Sequence, residues 1–261
     1  MLDKQQIETL RNILKEAGEI IIKYFGKAVI LTEKSSAADL RTQADLETEK
    51  FIIEKLNQNF PNWNIQGEET GLTDKQSEFT FFIDPIEGTS NFAMGIPVFA
   101  INLGLMKNKD IVFGMIHNPI TKDTYYATSG GGAFVNETKI RVNDENEINR
   151  STVDYNFSYG TPIEIRDIVT GSLRKAGIKR GLDMWCGGYT FCLLASGKIE
   201  AVLCEGDQLY DFVAGKLIAK EAGAKITDFK GLPETDITNN RFIASNGKAV
   251  QSLLIDILSK I

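Results

Sequence analysis

One segment constrains this chain more than any other, because an apolar strand ends there in two carboxylates. The segment FFIDPIEGT, residues 81–89, places Asp84 and Glu87 directly after apolar residues and ahead of Gly88. An unpaired carboxylate is costly to bury and usually needs a cation or several hydrogen-bond donors. Their spacing lets both side chains turn toward one point, with the Ile86 carbonyl between them. The segment therefore predicts a strand edge that can hold metal and phosphate together.

The residues that follow also suit an anion. Gly88 and Thr89 open a short segment, residues 90–94, whose free backbone N–H groups can receive a phosphate. A simpler interpretation stays open, namely a turn in which Thr89 or Ser90 caps a helix. The segment alone does not decide between the two.

Composition excludes several classes of protein. A chain of 261 residues with 43% hydrophobic content can bury a substantial core, either as one large domain or as two closely packed ones. The net charge of -6 argues against nucleic acid or an anionic membrane as the main partner, because both attract basic surfaces. No apolar run is long enough to cross a bilayer. An anionic substrate then needs local help, such as a metal ion.

Cysteine and histidine usage narrows the chemistry further. The three cysteines, Cys186, Cys192 and Cys204, form no C-x-x-C pair, which favours a reducing cytosol and predicts small buried side chains. The single histidine, His117, lies where a strand is expected to end. Ser-His-Asp catalysis, phosphohistidine transfer and multi-histidine zinc sites would each need a suitably placed histidine, so none of them is favoured.

The first half of the chain is expected to pack helices on an antiparallel sheet. Residues 1–25 carry charges throughout and apolar residues at helical spacing, which predicts an amphipathic helix rather than a signal peptide. A second helix is predicted over residues 44–59. Glu68 and Glu69 are expected in a loop. Strands are predicted over residues 80–83, 100–106, 111–117 and 124–128.

The second half has a different pattern. The polar residues 141–151 offer the only plausible boundary, which predicts a domain of residues 1–145 and one of residues 146–261. Beyond the boundary, predicted helices and strands alternate, which suits an α/β arrangement. The helices are predicted over residues 164–176, 188–196 and 211–221, and the strands over residues 201–203 and Lys225–Thr227. The glycines at 130–132 are interpreted as a turn, because no Gly-Lys-Ser/Thr follows them.

Four separated segments together resemble one protein family. Residues 81–89 resemble the D-P-I-D-G-T signature of the inositol monophosphatase family of metal-dependent, lithium-sensitive phosphatases. Further similar segments follow the family's order: residues 34–45 with its catalytic Asp, the G-E-E element at 67–69, and the W-D-x-A and E-A-G elements at 210–214 and 221–223. The resemblance implies a layered αβαβα sandwich with the site between its two halves, and a homodimer.

The resemblance also implies the ligands and the cofactor. Glu68, Asp84 and the Ile86 carbonyl would hold a first metal, and Asp84, Glu87 and Asp211 a second. Hard oxygen ligands without a His or Cys cluster select Mg²⁺, as two or three ions, or Mn²⁺. Taken singly, Glu68 would be a solvated loop acid and Asp211 a helix N-cap.

Catalytic roles follow from the same resemblance. Asp45 and the Thr89 hydroxyl would orient a metal-activated water, with Glu68 the third catalytic residue. Backbone N–H groups of Gly88 and Thr89 would hold the phosphate, and Glu205 would contact the substrate, although Cys204 stands where the family's spacing puts its polyol-binding Glu.

Glu87 departs from the family signature, which has Asp there. The added methylene moves the carboxylate by roughly one carbon–carbon bond, which is large against Mg²⁺ contacts of about 2.0–2.1 Å. Three outcomes stay open: an active enzyme with shifted metal preference, a slow enzyme, or an inactive protein. We expect retained but altered activity.

The sequence thus predicts a cytoplasmic metal-dependent phosphomonoesterase for a small polyol phosphate such as myo-inositol monophosphate. A second hypothesis keeps the hydrolase and changes the substrate to histidinol phosphate, a nucleotide 3′-phosphate or fructose 1,6-bisphosphate. A third hypothesis is a catalytically impaired member that acts as a binding or regulatory protein. No nucleic acid and no membrane are expected as partners.

Overall fold

The computed structural model describes residues 2–27, 29–34 and 40–261 of the chain, so residues 35–39 of the segment 34–45 lie outside the described residues. The described residues form seven α-helices and a short 3-10 helix at Ile148–Arg150. The α-helices are α1 Lys4–Tyr24, α2 Gln43–Asn59, α3 Thr89–Ala93, α4 Ile163–Lys175, α5 Gly187–Ala195, α6 Leu209–Glu221 and α7 Ala249–Leu258.

The strands of the described residues form a hairpin and two larger sheets. The hairpin is β1 Ile30–Glu33 and β2 Leu40–Thr42. The strands of the first sheet are β3 Asn64–Gly67, β4 Gly71–Thr73, β5 Phe79–Glu87, β6 Ala100–Lys107, β7 Asp110–Asn118, β8 Asp123–Thr128, β9 Gly132–Val135 and β10 Thr138–Ile140, in the order β10-β9-β8-β7-β6-β5-β3-β4. The strands of the second sheet are β11 Thr152–Phe157, β12 Arg180–Leu182, β13 Ala201–Glu205, β14 Lys225–Thr227 and β15 Arg241–Ser245, in the order β12-β11-β13-β15-β14.

These elements stack as the predicted αβαβα sandwich. Helices α1 and α2 pack on one face of the first sheet, and α5 and α6 lie between the two sheets. Helices α4 and α7 cover the far face of the second sheet. Because α6 contacts β5, β6, β7 and β8 of the first sheet, it carries residues of the second half of the chain to the strand that holds Asp84. The division near residue 145 stays a proposal.

Local sequence explains the outer helix. The Asp3 side chain accepts a hydrogen bond from the Gln6 N–H, and Gln6 returns one to Asp3, so a capping box begins α1. Leu10, Leu14 and Ile21 recur on one face and are fully buried against the first sheet. No helix of the described residues combines the length and the apolar character needed to cross a membrane.

The sequence predicted an antiparallel sheet in the first half of the chain, and this prediction is wrong for one pair of strands. Strand β3 runs parallel to β5, while the other neighbouring strands pair antiparallel. After the turn at Glu68, β4 returns along the sheet edge, and the chain then re-enters as β5 on the other side of β3. A hydrophobic pattern fixes which face of a strand is buried but not which neighbour it takes, so the sequence could not give this pairing.

Candidate active site

Two elements bring three carboxylates together at the carboxyl end of β5, an inner strand of the first sheet. Asp84 and Glu87 lie in β5 and Asp211 lies in the first turn of α6. One carboxylate oxygen from each of the three lies within 4.8 Å of the others. The structure thus brings together the three side chains predicted for the second metal, although Asp211 is far from the other two in the sequence.

A bulge in β5 aims two of these side chains the same way. Residues three apart on a regular strand point to opposite faces of the sheet. Here Asp84 pairs with Asn102 while Glu87 pairs with Ala100, so β5 carries one residue more than β6 between the two pairs. Pro85 lies inside this interval and has no N–H to offer the ladder. Because of the extra residue, the side chains of Glu87 and Asp84 point to the same face of the sheet.

The described residues supply no ion-paired cation to this cluster of acidic side chains. Within the described residues, no lysine or arginine forms an ion pair with Asp84, Glu87 or Asp211. Burial raises the pKa of all three, and neighbouring carboxylates raise it further; the pKa of Glu87 rises to about 8. Hard oxygen donors gathered without an internal cation fit a divalent ion such as Mg²⁺ or Mn²⁺.

Glu68 lies next to the carboxylate cluster and interacts with one of its members, Asp84. It lies in the turn between β3 and β4, as the sequence predicts, and its carboxylate is in hydrogen-bond contact with Asp84. Its oxygens are not among the three that lie within 4.8 Å of one another. The Lys34 Nζ donates to Glu68 at 2.7 Å and to Glu69 at 2.6 Å, so a protein cation faces this carboxylate. Asp84 also lies close to Glu87, so it neighbours residues of both predicted ligand sets.

Asp45 and Thr89 meet beside the Ile86 carbonyl. Asp45 is fully buried in α2 and accepts from the Thr42 backbone N–H at 2.8 Å. The Thr89 Oγ1 lies 3.3 Å from Asp45 Oδ1 and 2.8 Å from the Ile86 carbonyl oxygen. Its single hydrogen can serve only one of the two, and the shorter distance favours Ile86. Burial raises the pKa of Asp45 to about 7, although the bonds from Thr42 lower it.

Gly88 shapes the turn after the carboxylates. Its φ of 89° lies in the left-handed region, and an added Cβ would lie 3.0 Å from the Val98 carbonyl oxygen. Gly88 is also the N-cap of α3, rather than the Thr89 or Ser90 cap that was the simpler alternative. Its role as a phosphate donor stays a proposal.

Asp211 differs from its simpler interpretation as a helix N-cap. The N-cap of α6 is Gln208, and Asp211 is its N3 residue, whose Oδ2 accepts from the Gln208 N–H at 2.7 Å. This capping box leaves the second carboxylate oxygen of Asp211 available to other partners.

The structure places Glu205 at the end of β13. Its Oε2 accepts from the Arg241 Nε at 2.9 Å, and its charge acts on Asp207. Burial raises the pKa of Asp207 to about 7, and its carboxylate in turn raises the pKa of Glu87 and of Asp211. Glu205 is therefore paired with Arg241 and neighbours Asp207, and its assignment as a substrate contact stays a proposal.

Sequence reasoning missed Asp207 and two further supporting residues. Glu49 is fully buried in α2, and its carboxylate accepts from the Glu69 N–H at 3.0 Å and the Thr70 N–H at 2.8 Å, which fixes the turn that carries Glu68. The sequence offered one signal for Glu49: it lies one helical turn after Asp45, so the two side chains share a face of the helix. Asn102 is a polar residue within an apolar strand, which was a weaker one.

The remaining expectations concern residues away from the cluster. His117 lies near the end of β7, is buried, and shares a hydrogen bond with Thr124 Oγ1 at 2.9 Å. The three cysteines are free and buried, as predicted. None of these four side chains belongs to the group of carboxylates described above.

Comparison with known proteins gives a consistent result. The sequence model of the inositol monophosphatase family matches residues 3–261. The fructose-1,6-bisphosphatase/inositol-1-monophosphatase of Methanocaldococcus jannaschii is 34% identical over 95% of this chain and 97% of its own length. The inositol monophosphatase 1 of Homo sapiens is 30% identical, over 90% of this chain and 87% of its own. The crystal structure of the extragenic suppressor protein suhB from Bartonella henselae superposes with a TM-score of 0.89 at 26% identity, over 97% of this chain and 98% of that one.

Proposed function

The chain belongs to the inositol monophosphatase family, a family of phosphatases, and from this premise we propose that it is an Mg²⁺-dependent phosphomonoesterase acting on a small polyol phosphate. The observation that carries the proposal is the carboxylate cluster of Asp84, Glu87 and Asp211, which gathers three acidic side chains without an ion-paired lysine or arginine among the described residues. Such a cluster is costly unless a cation completes it.

The ligand assignment extends this cluster. In the proposal, Asp84, Glu87 and Asp211 hold one ion, and Glu68, Asp84 and the Ile86 carbonyl hold another. Two or three ions bind in total, and Mn²⁺ can replace Mg²⁺. Divalent ions in such a site activate a water and stabilise the departing alkoxide.

Protein groups would orient the nucleophile and the phosphate. Asp45 and Thr89 Oγ1 lie 3.3 Å apart, and a carboxylate with a pKa of about 7 can accept a proton from a water near neutral pH. The positive φ of Gly88 turns the backbone sharply after Glu87, and in the proposal the N–H groups of Gly88 and Thr89 receive the phosphate.

The substrate proposal draws on the relatives. The Methanocaldococcus jannaschii relative carries both inositol-1-monophosphatase and fructose-1,6-bisphosphatase in its name. We propose myo-inositol monophosphate as the first substrate to test and fructose 1,6-bisphosphate as the second. Glu205 is assigned to the substrate hydroxyls. The proposed setting is a lithium-sensitive, cytoplasmic homodimer that has no nucleic-acid or membrane partner.

The test is phosphate release from a panel of inositol, sugar, histidinol and nucleotide phosphates, with Mg²⁺ or Mn²⁺ added. Asp84→Asn removes the central carboxylate, and Asp110→Asn, at the exposed first residue of β7 in the same sheet, is the matched control. We expect turnover in the parent and in Asp110→Asn, and none in Asp84→Asn. A folded parent that releases no phosphate with either ion would contradict the proposal and favour a binding or regulatory protein.

A further inference from the structure

We propose that Asn102 is a positioning residue that holds Glu87 in place as a ligand of the second metal ion, and so lets this site work with a Glu. The inference rests on the proposed function, because it takes Glu87 to be a ligand. It concerns a residue of β6 that faces the carboxylates from the neighbouring strand.

The Asn102 side chain joins the two elements that carry the cluster. It is fully buried, and its Nδ2 donates to Glu87 Oε2 at 3.3 Å and to the Asp211 backbone carbonyl at 3.0 Å. Glu87 belongs to β5 and Asp211 to α6, so one amide group ties the strand to the helix at the point where their carboxylates meet. A ligand held in this way loses less freedom when an ion binds.

The orientation of the amide is set by its neighbours. Both N–H groups of Nδ2 are needed, one for a carboxylate oxygen and one for a carbonyl oxygen. A flipped amide would point its own oxygen at these two acceptors and repel both. In the observed orientation, Asn102 Oδ1 is buried and finds no hydrogen-bond donor among the described residues. Leaving this atom unpaired is a cost that the two donated bonds offset.

Glu87 is anchored at its other oxygen as well. The Gly187 N–H, in the first turn of α5, donates to Glu87 Oε1 at 3.0 Å. The side chain therefore spans from β5 to donors on β6 and α5. An Asp at this position would withdraw the carboxylate by about 1.5 Å, which would stretch both contacts beyond hydrogen-bond length.

The first turn of α5 leaves room for this arrangement. A Cβ added at Gly188 would lie 2.3 Å from Asn102 Oδ1 and 2.4 Å from Nδ2. Any larger residue there would displace the amide. The glycine at 188, the amide at 102 and the longer acid at 87 are thus mutually compatible, which gives a physical reason for the Glu in this chain.

The experiment is a calorimetric titration of the metal-free protein with Mn²⁺. Two reference variants assign the binding steps, because Glu68→Gln weakens the first ion and Glu87→Gln the second. Asn102→Ala is expected to weaken the same step as Glu87→Gln by about 10- to 100-fold, the usual effect of losing a group that orients a ligand. The step affected by Glu68→Gln should stay unchanged. Asn64→Ala, at a buried Asn that bonds the Ser77 carbonyl instead, controls for loss of a buried amide.

A double-mutant cycle adds a readout that a merely structural role would not move. Glu87→Asp should weaken the second ion in the parent, and much less in the Asn102→Ala background, because the anchor is already lost. Should Asn102→Ala not fold, Asn102→Ser leaves a smaller cavity, and because its hydroxyl ends one bond short of Nδ2 it should show the same loss. Equal losses in both backgrounds would overturn the inference.

These outcomes separate the inference from the function. A parent that binds two ions, loses the second on Asn102→Ala and yet releases no phosphate would refute the proposed activity and support the role of Asn102. A parent without a second binding step would overturn the inference, as would an Asn102 variant with unchanged affinity for the second ion.

Discussion

Helix α6 carries two charged residues, one buried and one half-buried, whose charges are compensated in different ways. Lys216 is 2% exposed, and its Nζ lies 2.5 Å from Glu234 Oε1 and donates to the Ile237 carbonyl at 3.0 Å. Asp211, in the first turn of the same helix, adjoins two other carboxylates and has no ion-paired cation among the described residues. One charge is satisfied internally, while the other is left for a partner from outside.

The comparison separates a charged group that stabilises the fold from a cluster that we expect to bind a ligand. Lys216 also lies over the rings of Phe212 and Phe242, at 4.9 and 4.1 Å from the ring centroids, so two aromatic faces supplement its pairing with Glu234. The carboxylate cluster instead makes the metal-free protein less stable than it could be. Sites that bind ligands often retain such unfavourable arrangements, which binding then relieves.

The largest expected effect is on turnover. Asp84→Asn should reduce phosphate release by about 1,000-fold or more, because the residue belongs to both predicted ligand sets. The same change should raise the free energy of unfolding of the metal-free protein, since it removes one of the like charges and Asn can still accept from the Ile86 N–H. Turnover assays and metal-free thermal melts measure the two effects. If Asp84→Asn lost both activity and metal-free stability, the proposed contrast between the carboxylate cluster and Lys216 would be wrong.

For Lys216, whose charge is paired inside the protein, we expect a loss of stability with little change in metal binding. Lys216→Met should lower the free energy of unfolding by about 3–5 kcal/mol, because it leaves Glu234 buried without its partner. Metal affinity should change little. Urea unfolding and metal titration measure these quantities, and Lys220→Met, at an exposed position of the same helix, is the control. A strong loss of metal affinity without loss of stability would contradict the assignment.

A smaller effect is expected from Glu49. Glu49→Gln replaces one acceptor oxygen with an amide donor that would oppose the Glu69 or Thr70 N–H, so the turn that carries Glu68 should loosen. We expect a loss of about tenfold in affinity for the first ion. Metal titration checks this, with Glu54→Gln on the exposed side of the same helix as the control. If Glu49→Gln and Glu54→Gln bound the first ion with equal affinity, Glu49 would have no role in the metal site.

The smallest effect is a dependence of metal-free stability on pH. The pKa of Asp45 is about 7 and that of Glu87 about 8, both raised chiefly by burial, whereas unfolded carboxyls titrate near 4. A raised folded-state pKa means that stability falls as pH rises, until the pH exceeds the folded-state pKa.

Thermal melts of the metal-free protein between pH 6.5 and 8.5 should therefore show a falling midpoint, by about 2–4 °C for each kcal/mol lost. His117 has its pKa lowered to about 4 by burial, so it acts below this window, where stability falls with acidification. Saturating Mg²⁺ should flatten the slope. A slope that is equal with and without metal would show that the cluster is not the cause.

Sequence alone could reach those parts of the site that lie in local motifs. Asp84 and Glu87 follow an apolar strand within a few residues of Gly88, and the predicted helix places Asp211 at its start. Asn102 could not be assigned in this way, because its bond to the Asp211 carbonyl joins residues 109 positions apart. A lysine such as Lys216 is normally exposed on a helix, and only tertiary packing shows its buried partner.

The same distinction between local and tertiary information decides which parts of the fold the sequence could predict. Amphipathic spacing predicts α1 and α2, and the apolar runs predict β6, β7 and β8, because burial of one face is encoded locally. The strands β4, β10 and β12, of three residues each, are too short to show a period and were not predicted, although β14, which is as short, was predicted over Lys225–Thr227. The parallel pairing of β3 with β5 depends on contacts made across the sheet.

The most direct test of the account is a calorimetric titration of the metal-free protein with Mg²⁺, beside Asp84→Asn. The central claim is that Asp84, Glu87 and Asp211 form a cluster without an ion-paired cation among the described residues because a divalent cation completes it. We expect the parent to bind Mg²⁺ and to gain thermal stability on binding, and Asp84→Asn to lose both responses. A parent that binds no Mg²⁺, or an Asp84→Asn variant that binds it equally well, would contradict the claim.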